Sequence, residues 1–425
     1  MVAIHDKFGR PVVVVTGSGL VTSLGAGKAD NWKRLTAGES GIHAITRFAT
    51  EGLKTKIAGT IDYLTTGPVS APEMAERLAE VAVEEAIAQS GIGSYRRFPG
   101  PLFLAVAPNE LEWPQRGELA KASGAEAVGY DDLLRAAASG RFRSYHERFL
   151  FGSVGEALAA KFGTEGSPIS LSTACASGAS AIQLGLEAIR RGETDAALCV
   201  ATDGSINVES LVRFSLLSAL SVQNDPPQTA AKPFSKNRDG FVMAEGAGAM
   251  VLESYQSAVA RGANVLGVVA GCGELADSFH RTRSNPDGKP MIGCMKNAIA
   301  DAGLTPADID YINAHGTGTP ENDKMEGLAV SAVLGERIKE VPISSNKSMI
   351  GHTLSAAGAV EAVITLMTLE HQRIPPTINY LVPDPTIPLD VVPNVARDAR
   401  IRNVISNSFG FGGQNVSLVI AREPA

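Results

Sequence analysis

Residues 168–201 read PISLSTACASGASAIQLGLEAIRRGETDAALCVA, and this stretch decides the fold class. The β-branched and apolar positions at 169–171 predict a short strand. After a turn, the pattern predicts a helix over 177–191, which Gly192 then ends. The apolar run at 196–201 predicts the next strand. This alternation of strand, helix and strand indicates an α/β fold.

The same alternation extends towards both ends of the chain. The further predicted elements are a strand over 12–15, a helix over 71–89, a strand over 341–344, a helix over 355–371, and two β-like runs within 404–421 around a turn at 410–413. The helices that follow residues 176 and 355 both begin with tiny side chains, ASGASA at 176–181 and SAAGAV at 355–360. Because small residues let two backbones approach closely, we expect these helices to be buried and packed together.

This repetition predicts a diverged internal duplication. We expect an N-terminal half over 1–265, which carries Cys175 and the cap insertions, and a C-terminal half over 266–425, which carries the histidine loops. No low-complexity linker separates the halves, so a single compact unit is expected.

The composition excludes several classes of protein. Hydrophobic residues make up 44% of the 425 residues and charged residues 20%, as in an ordinary enzyme. The formal net charge of −7 provides no basic field for nucleic acid. The first ten residues are polar, and no apolar stretch approaches the ~20 residues that span a bilayer, so we expect neither a signal peptide nor membrane insertion. The four cysteines stand singly, which is typical of a reducing compartment and predicts a cytoplasmic protein.

Cys175 is the first candidate for chemistry. It lies at the predicted N-terminus of the helix over 177–191, where the helix dipole and free N–H groups favour a nucleophilic thiolate. The same N–H groups can stabilise an oxyanion on a carbonyl that the sulfur attacks. The alternative is an ordinary small buried cysteine, and this is our interpretation of Cys199, Cys272 and Cys294.

Two of the seven histidines lie in loops that follow predicted strands, His315 in NAHGTGTP (313–320) and His352 in SNKSMIGH (345–352). Active-site groups collect at such positions in α/β proteins. Each could instead be a structural histidine, but two in similar settings, with Lys347 five positions before His352, favour catalysis. No H-x-x-x-H or H-E-x-x-H spacing occurs, so no catalytic metal is expected.

Two other patterns are incomplete. The run GSGLVT at 17–22 begins like a dinucleotide fingerprint but lacks its third glycine, and we interpret it as a tight turn between a strand and a helix. The run GASAI at 178–182 lacks the closing glycine of a serine-hydrolase elbow. Neither activity is therefore predicted.

With these residues in view, the chain resembles the β-ketoacyl-acyl-carrier-protein synthases of the type I/II elongation branch, and synthase II in particular. The match covers most of the chain and is densest in five segments that occur in the family's order, 172–178, 232–248, 310–326, 344–361 and 407–413. The resemblance implies the thiolase-like fold, with two duplicated βαβαβαββ halves in a five-layer αβαβα arrangement, and a homodimer.

The resemblance also implies roles for individual residues. Cys175 is similar to the nucleophile that takes the acyl chain from a carrier-protein thioester. The backbone N–H groups of Cys175 and Phe411 match its oxyanion hole. His315 and His352 are similar to the pair that binds the malonyl thioester carbonyl and stabilises the enolate as CO₂ leaves. Lys347 is similar to the residue that orients the histidines and helps to keep them neutral.

Further positions match the family's substrate and ion contacts. Thr317 and Thr319 match the hydroxyls that bind phosphopantetheine, which arrives on the acyl carrier protein. Phe411 matches the gate residue over the cysteine. Asn313 and Glu361 match positions near a structural sodium or potassium ion, and no other cofactor is expected. The implied reaction is the decarboxylative condensation of malonyl carrier protein with the Cys175-bound acyl chain, as in fatty acid elongation.

Three departures from the family pattern concern the substrate. The segment 108–150 matches poorly, although in relatives it helps to line the acyl pocket and the dimer contact. Ser218 stands where the family has an arginine. The early helix that docks the carrier is usually basic but is acidic in this chain, where it carries Glu73, Glu76, Arg77, Glu80, Glu84 and Glu85.

Carrier proteins are acidic, so this helix would no longer attract one. A basic cluster elsewhere in the sequence either replaces this helix as the docking surface or is an ordinary solvated face. The members of the cluster are Arg135, Arg141, Arg143 and Arg148. We therefore expect a specialised condensing enzyme with its own carrier protein, for unusually long or modified chains.

Two alternatives remain at this point. A non-condensing partner subunit of a polyketide-type heterodimer would bind without catalysis, and the intact Cys175, His315 and His352 favour the enzyme. A thiolase-like enzyme acting on coenzyme A thioesters needs a second acid/base cysteine near the C-terminus, and no cysteine follows Cys294. An initiation enzyme would carry asparagine in place of His352.

Overall fold

The computed structural model describes residues 4–65, 67–93 and 96–424, so Met1 to Ala3, at the start of the polar N-terminus, lie outside the described residues. The strands are β1 Val13–Thr22, β2 Gly25–Ala26, β3 His43–Ala44, β4 Ile57–Ala58, β5 Leu102–Val106, β6 Ile169–Leu171, β7 Ala196–Asp203, β8 Gly246–Ser254, β9 Gly267–Ala276, β10 Tyr311–Asn313, β11 Pro342–Ser344, β12 Arg373–Ile374, β13 Asp390–Val391, β14 Arg397–Asp398, β15 Asn403–Phe409 and β16 Gln414–Ala421.

The helices lie between these strands. They are α1 Lys28–Ala37, α2 Ala71–Ser90, α3 Trp113–Ser123, α4 Tyr130–Ala138, α5 Arg143–Phe149, α6 Ser153–Phe162, α7 Ser177–Arg190, α8 Val208–Leu216, α9 Tyr255–Ala260, α10 Lys289–Asp301, α11 Pro320–Leu334, α12 Lys347–Ile350 and α13 Ala357–His371. Over the described residues, none of these helices combines the length and the apolar composition needed to cross a membrane.

Two groups of five strands have the same internal order. The first runs β1-β8-β7-β5-β6 and the second β9-β16-β15-β10-β11, extended by β13. In each group the first three strands are antiparallel and the last three are parallel. This correspondence confirms the predicted duplication. Pairing of β1 with β9 joins the groups, so the sheet is continuous across the predicted boundary at 265/266, which stays a prediction.

The helices form three layers around the two groups of strands. The apolar face of α2, including Leu78 and Ala82, packs with α6 on the outer face of the first group. Helices α10 and α11 cover the second group, with Met295 and Val330 buried. Helices α7 and α13 lie between the groups and are buried in the central core. The result is the predicted five-layer αβαβα arrangement, in which each sheet face is covered.

Small residues bring the two central helices into backbone contact, as predicted. A Cβ atom on Gly178 would lie 2.5 Å from the backbone nitrogen of Ala359. A Cβ atom on Gly358 would lie 2.4 Å from the backbone nitrogen of Ala179. Since these contacts are with backbone, no side-chain rearrangement can relieve them. The position of α7, and of the residues at its N-terminus, therefore depends on glycine at both positions.

We expect Gly358→Ala to destabilise the protein by about 1–3 kcal/mol, because an added methyl group would force the central helices apart. Gly117→Ala is the matched control, since Gly117 lies in α3 and no atom of the described residues lies within 4 Å of its added Cβ. That variant should be stabilised by up to about 1 kcal/mol through helix propensity. Thermal unfolding midpoints measure both. Equal midpoints for the two variants would contradict the close packing.

The interpretation of Gly17 and Gly19 as a tight strand-to-helix turn is wrong. Both glycines lie inside β1, which continues to Thr22. A Cβ atom would lie 2.0 Å from the carbonyl oxygen of Ala86 at Gly17, and 1.9 Å from that of Ala82 at Gly19. The glycines therefore let the backbone of α2 pack directly on the strand. Most of the other predicted elements agree with the structure to within a few residues.

Candidate active site

Cys175 lies in the turn between β6 and α7, as predicted. Ala174, which precedes it, has a left-handed backbone with φ of 50°, a conformation that is rare for residues other than glycine. The Ser177 hydroxyl holds the turn by donating to the carbonyl of Ala174 at 2.5 Å and accepting from the N–H of Thr173 at 2.8 Å. The thiol is thereby presented at the N-terminus of α7.

The environment of Cys175 keeps its thiol protonated in the free protein. Burial raises the pKa of Cys175 to about 11, although the positive charge of Lys347 and a hydrogen bond from the backbone N–H of Phe411 lower it. The helix N-terminus therefore does not by itself produce a stable thiolate. The contact from Phe411 brings a second backbone donor to the sulfur, next to the N-terminus of α7.

His315 and His352 follow β10 and β11 in the second half of the chain. Their ring centroids are 5.3 Å apart and the ring planes are nearly perpendicular, at 83°. One side-chain ligand atom from each histidine and the sulfur of Cys175 all lie within 4.8 Å of one another. The two halves of the chain thus contribute to a single cluster.

Hydrogen bonds to the Nδ1 atoms define the tautomers of both histidines. Nδ1 of His352 accepts from the backbone N–H of Leu354 at 3.2 Å, so its hydrogen is on Nε2. Among the described residues, that Nε2 is buried and has no partner. Nδ1 of His315 lies 3.4 Å from the Lys347 ammonium, which is a donor, so we again assign the hydrogen to Nε2.

Both imidazoles are neutral at physiological pH. Burial lowers the pKa of His315 and of His352 well below the usual value, and the positive charge of Lys347 lowers both further. A neutral imidazole with its hydrogen on Nε2 is a hydrogen-bond donor but not an acid. The cluster therefore combines one thiol with two neutral N–H donors.

Lys347 connects His315 to a buried carboxylate. Its ammonium donates to the backbone carbonyl of His315 at 2.7 Å and forms an ion pair with Glu361. The side chains of Lys347 and Glu361 are only 2% and 1% exposed. Burial raises the pKa of Glu361 to about 7, while the Lys347 charge lowers it. This pair, rather than solvent, fixes the ammonium beside the histidine.

Phe411 lies in the loop between β15 and β16, beside Cys175. It lines both cavities that reach the sulfur, the position expected of a gate. The loop is attached to a neighbouring segment, because the Gly412 N–H donates to the carbonyl of Arg281 at 2.7 Å. Gly413 has no room for a side chain, since a Cβ atom would lie 1.9 Å from the carbonyl oxygen of Asp277.

The first of the two cavities is a narrow entrance that leads from the surface to Cys175 and both histidines. Thr317 and Thr319 line it, and their hydroxyl oxygens are 2.9 Å apart. These are the two positions predicted to bind phosphopantetheine. A thioester entering along this path would pass the threonines before it reaches the sulfur.

The second cavity, of about 410 Å³, lies on the other side of Cys175. Residues 107–112 line it, so the start of the poorly matching segment 108–150 forms the pocket wall. A third cavity, of about 530 Å³, shares Glu112, Asn207 and Glu209 with the second. These three polar side chains form the wall between the two cavities.

Helix capping explains why polar residues form this wall. A carboxylate oxygen of Glu112 accepts from Ala71 at the N-terminus of α2, at 2.6 Å. Glu209 accepts from the N–H of Trp113 at the start of α3, and the side chain of Asn207 caps α8. Three helix N-termini therefore meet at the far end of the cavity. Burial, followed by repulsion from Glu209, raises the pKa of Glu112.

The cluster of Cys175, His315 and His352 has the donor atoms of a metal site, which the sequence spacing did not indicate. However, the N–H of Leu354 and the ammonium of Lys347 face the two Nδ1 atoms, so the ring hydrogens lie on the Nε2 atoms. These Nε2 atoms are the nitrogens that would have to bind the ion. The Lys347 ammonium beside His315 also opposes a second cation. The donor chemistry therefore does not fit a catalytic metal, and its predicted absence stays a prediction.

The two residues predicted to lie near a monovalent cation fit that ion. The side-chain oxygen Oδ1 of Asn313 and the oxygen Oε2 of Glu361 are buried and have no partner among the described residues. Neutral and anionic oxygens are the ligands that such ions prefer. Asn313 and Glu361 would hold the ion and supply structural support close to Lys347. The cation itself stays a prediction.

Glu326 supports the site and was not singled out from the sequence. Its two carboxylate oxygens accept from the backbone N–H groups of His315 and Gly316, at 2.9 and 2.7 Å. The side-chain amide of Asn407 donates to it at 3.3 Å. Burial raises the pKa of Glu326 to about 7. A buried carboxylate on an otherwise ordinary helix leaves no periodic signal in the sequence.

Comparison with known proteins agrees with this geometry. The models for the β-ketoacyl synthase N-terminal and C-terminal domains match residues 10–258 and 266–381. The chain is 37% identical to the tetracenomycin polyketide synthase ketoacyl synthase alpha subunit of Streptomyces glaucescens, over 96% of this chain and 97% of that protein. It is 36% identical to 3-oxoacyl-[acyl-carrier-protein] synthase 2 of Coxiella burnetii, over 96% of this chain and 98% of the relative.

A solved structure has the same fold. It is that of a type II PKS acyl-carrier protein in complex with its ketosynthase bound to the hexaketide. The TM-score is 0.86 and the sequence identity is 33%, over 97% of this chain and 100% of that chain. The fold and the cluster thus define a thiolase-like condensing enzyme. The chain belongs to the β-ketoacyl synthase family and is an enzyme of the acyltransferase class.

Proposed function

We propose that this protein is a 3-oxoacyl-[acyl-carrier-protein] synthase that condenses a malonyl carrier protein with an acyl chain held on Cys175. One observation carries the proposal. The Cys175 thiol and two neutral histidines, with their hydrogens on Nε2, lie within 4.8 Å where an entrance and an internal cavity meet. Such a site has a nucleophile, donors for a developing negative charge, and separate space for two substrates.

The first half-reaction loads the acyl chain. The acyl carrier thioester enters past Thr317 and Thr319, and the sulfur of Cys175 attacks its carbonyl carbon. The backbone N–H groups of Cys175 and Phe411 stabilise the oxyanion. The carrier's thiolate leaves and takes up the proton that Cys175 has lost. The acyl chain then occupies the cavity of about 410 Å³ behind the sulfur.

The second half-reaction forms the carbon–carbon bond. His315 and His352 donate their Nε2 hydrogens to the malonyl thioester carbonyl, which becomes an enolate as the carboxylate leaves as CO₂. The enolate carbon attacks the acyl carbonyl on Cys175. The bond to sulfur breaks, and Cys175 leaves as a thiolate that takes up a proton from solvent. The 3-oxoacyl chain remains on the carrier. Donors that stay neutral suit this step because they stabilise the enolate without protonating its carbon.

Two features bear on the acyl chain. The cavities of about 410 and 530 Å³ meet at Glu112, Asn207 and Glu209. This arrangement supports a long acyl chain, which would extend through both cavities once their shared wall moves. The polar wall itself favours a second candidate, a ketosynthase that elongates an oxygenated, polyketide-type chain. An alkyl chain would leave these side chains without solvent, whereas chain hydroxyl groups would donate to the carboxylates and oxo groups would accept from the amide of Asn207.

The partners follow from the same proposal. The acyl and malonyl groups arrive on an acyl carrier protein, in the manner that the complex with 33% identity illustrates. We also propose a homodimer. The strand β6 is an edge strand of the sheet and its Ile169 is 46% exposed, so this edge is available to a second copy. The intact cluster favours a condensing role for this chain over that of a non-condensing partner subunit.

Intact mass after incubation with acyl carrier thioesters tests the function. We expect a mass gain equal to the acyl group in the wild type and none in Cys175→Ala, followed by its loss to a 3-oxoacyl product when malonyl carrier is added. Donors should include saturated chains of graded length and a hydroxylated chain of matched length. The acyl donor that reacts fastest distinguishes a fatty-acid synthase from a polyketide-type ketosynthase. A folded protein that no acyl donor acylates would support the partner-subunit alternative.

A further inference from the structure

Basic residues of α5 and α6 neutralise part of the charge of the acidic helix α2. Arg148 of α5 forms an ion pair with Glu76, and Lys161 of α6 contacts both Glu80 and Glu84. Arg77 pairs with Glu73 on the same helix. Lys161 is shared between two carboxylates, so the helix that is basic in relatives keeps an excess of negative charge in this chain. It does not attract an acidic partner.

The arginine cluster that could have replaced it is largely occupied. In addition to Arg148, Arg135 pairs with Asp132 and Arg143 pairs with Glu147. The guanidinium of Arg141 lies 5.8 Å from the ring centroid of Phe142. These contacts favour the interpretation of this cluster as a solvated face. This arginine cluster is therefore not a free basic surface for an acidic partner.

Two exposed arginines at the entrance, Arg281 and Arg283, are different. Both line the cavity that leads to Cys175. Within the part of the chain that the structure describes, neither guanidinium has an ion-pair or hydrogen-bond partner. Glu321, a half-buried carboxylate that also lines this entrance, forms no ion pair with either of them among the described residues. Their positive charge is therefore available to a ligand.

The segment that carries these arginines is held in place. The carboxylate of Asp277 accepts from the backbone N–H groups of Phe279 and Asn285, at 2.9 and 2.7 Å. The carbonyl of Arg281 accepts from Gly412 at 2.7 Å. Because the backbone is fixed at these points, the arginines project from a defined place at the entrance. Less entropy is then lost when they bind.

We infer that Arg281 and Arg283 form the docking contact for the carrier protein, binding the phosphate of its phosphopantetheine arm and the acidic surface next to it. Guanidinium groups bind phosphate and carboxylate oxygens in paired hydrogen bonds. The arm must pass the entrance with its thioester end at Cys175, so its phosphate and the protein behind it remain outside. This inference rests on the proposed function.

Charge reversal with Arg281→Glu and Arg283→Glu tests the inference. The measurement is the rate of Cys175 acylation by intact mass, with an acyl carrier protein and with an acyl-N-acetylcysteamine thioester, which lacks phosphate and protein. We expect kcat/KM for the carrier to fall about tenfold or more, since reversing two charges at the entrance replaces attraction for an acidic partner by repulsion. The rate with the small thioester should not change. The salt dependence of the carrier reaction should also weaken.

Arg400→Glu with Arg402→Glu is the matched control. This pair has the same spacing and lies before β15, whose seven residues separate it by about 23 Å from the loop of Phe411. The control should leave both reactions unchanged. An unchanged carrier reaction in the Arg281 and Arg283 variant would overturn the inference, as would an equal loss with both donors.

Fluorescence anisotropy of a labelled holo-carrier protein separates this inference from the proposed function. A wild type that binds the carrier but is never acylated would overturn the function, whereas weaker binding by the Arg281 and Arg283 variant would still support the docking contact. A wild type that does not bind the carrier would overturn both.

Discussion

His352→Ala is expected to slow condensation by about 10²–10³-fold while Cys175 is still acylated at close to the wild-type rate. The expected loss is that of one hydrogen-bond donor aimed at a developing oxyanion. In the free protein the Nε2 hydrogen of His352 is buried and has no partner in the described part of the chain, so no bond has to break before it can serve the enolate. The acyl transfer uses the backbone donors instead.

Two separate readouts test this prediction. Intact mass measures the acylation of Cys175, and release of labelled CO₂ from malonyl carrier measures decarboxylation. His352→Asn should recover part of the lost rate, because its amide can donate in place of the ring. His280→Ala is the control, since His280 is exposed at the same entrance. Equal losses in acylation and decarboxylation would mean that His352 supports the site as a whole.

The pH dependence of decarboxylation should follow from the neutral histidines. Because burial and Lys347 lower the pKa of His352 well below its usual 6.5, the ring stays neutral as the pH falls to about 6. We therefore expect no decrease in the decarboxylation rate between about pH 8 and 6 that is due to His352. Because Glu326 and Glu361 have pKa values of about 7, the rate profile is accompanied by an NMR titration of the imidazole itself. Protonation of the His352 ring near the ordinary histidine pKa would contradict the assigned environment.

Lys347→Met is expected to destabilise the protein by about 3–5 kcal/mol and to abolish most of the condensation activity. The substitution leaves the carboxylate of Glu361 buried without its partner, which is the most expensive way to break an internal ion pair. It also removes the charge that lowers the pKa of both histidines and the donor that faces Nδ1 of His315. Urea unfolding and condensation assays measure the two effects.

The stability loss should grow with pH. Burial raises the pKa of Glu361 to about 7, above the ordinary value of 4.5. Between these two pH values the native state therefore holds a proton on Glu361 that the unfolded state has released. A raised carboxyl pKa stabilises the native state at low pH, and that contribution is lost as the pH rises through the folded pKa. Without Lys347 that pKa rises further, so the variant should lose more stability at about pH 8.5 than at about pH 6.

Lys347→Met combined with Glu361→Gln provides the matched comparison. The double variant has no buried charge at this position, so part of the stability should return and the pH dependence should decrease. The activity should not return, because the donor beside His315 is still missing. Recovery of activity in the double variant would show that Lys347 serves only to neutralise Glu361.

The loops that carry Cys175, His315 and His352 could be identified from the sequence, because each follows an apolar strand and the glycines around them are local features. The duplication could be identified for the same reason, since the start of α7 repeats at α13. In contrast, the role of Gly17 and Gly19 was misassigned. A glycine that admits a neighbouring helix and a glycine that ends a strand give the same local pattern, and only the position of Ala82 and Ala86 distinguishes them.

The sequence by itself determined the α/β class, the order of the elements and the residue types available for catalysis, because propensity and periodicity act over neighbouring residues. Only the tertiary structure decided which residues act together. It brings residues 175, 315 and 352 within 4.8 Å, orients both Nε2 hydrogens, and raises or lowers their pKa values by burial. It also decides which arginines are already paired and, among the described residues, leaves Arg281 and Arg283 without an ion-pair partner. Distance, burial and pairing depend on residues far apart in the chain, and no local pattern encodes them.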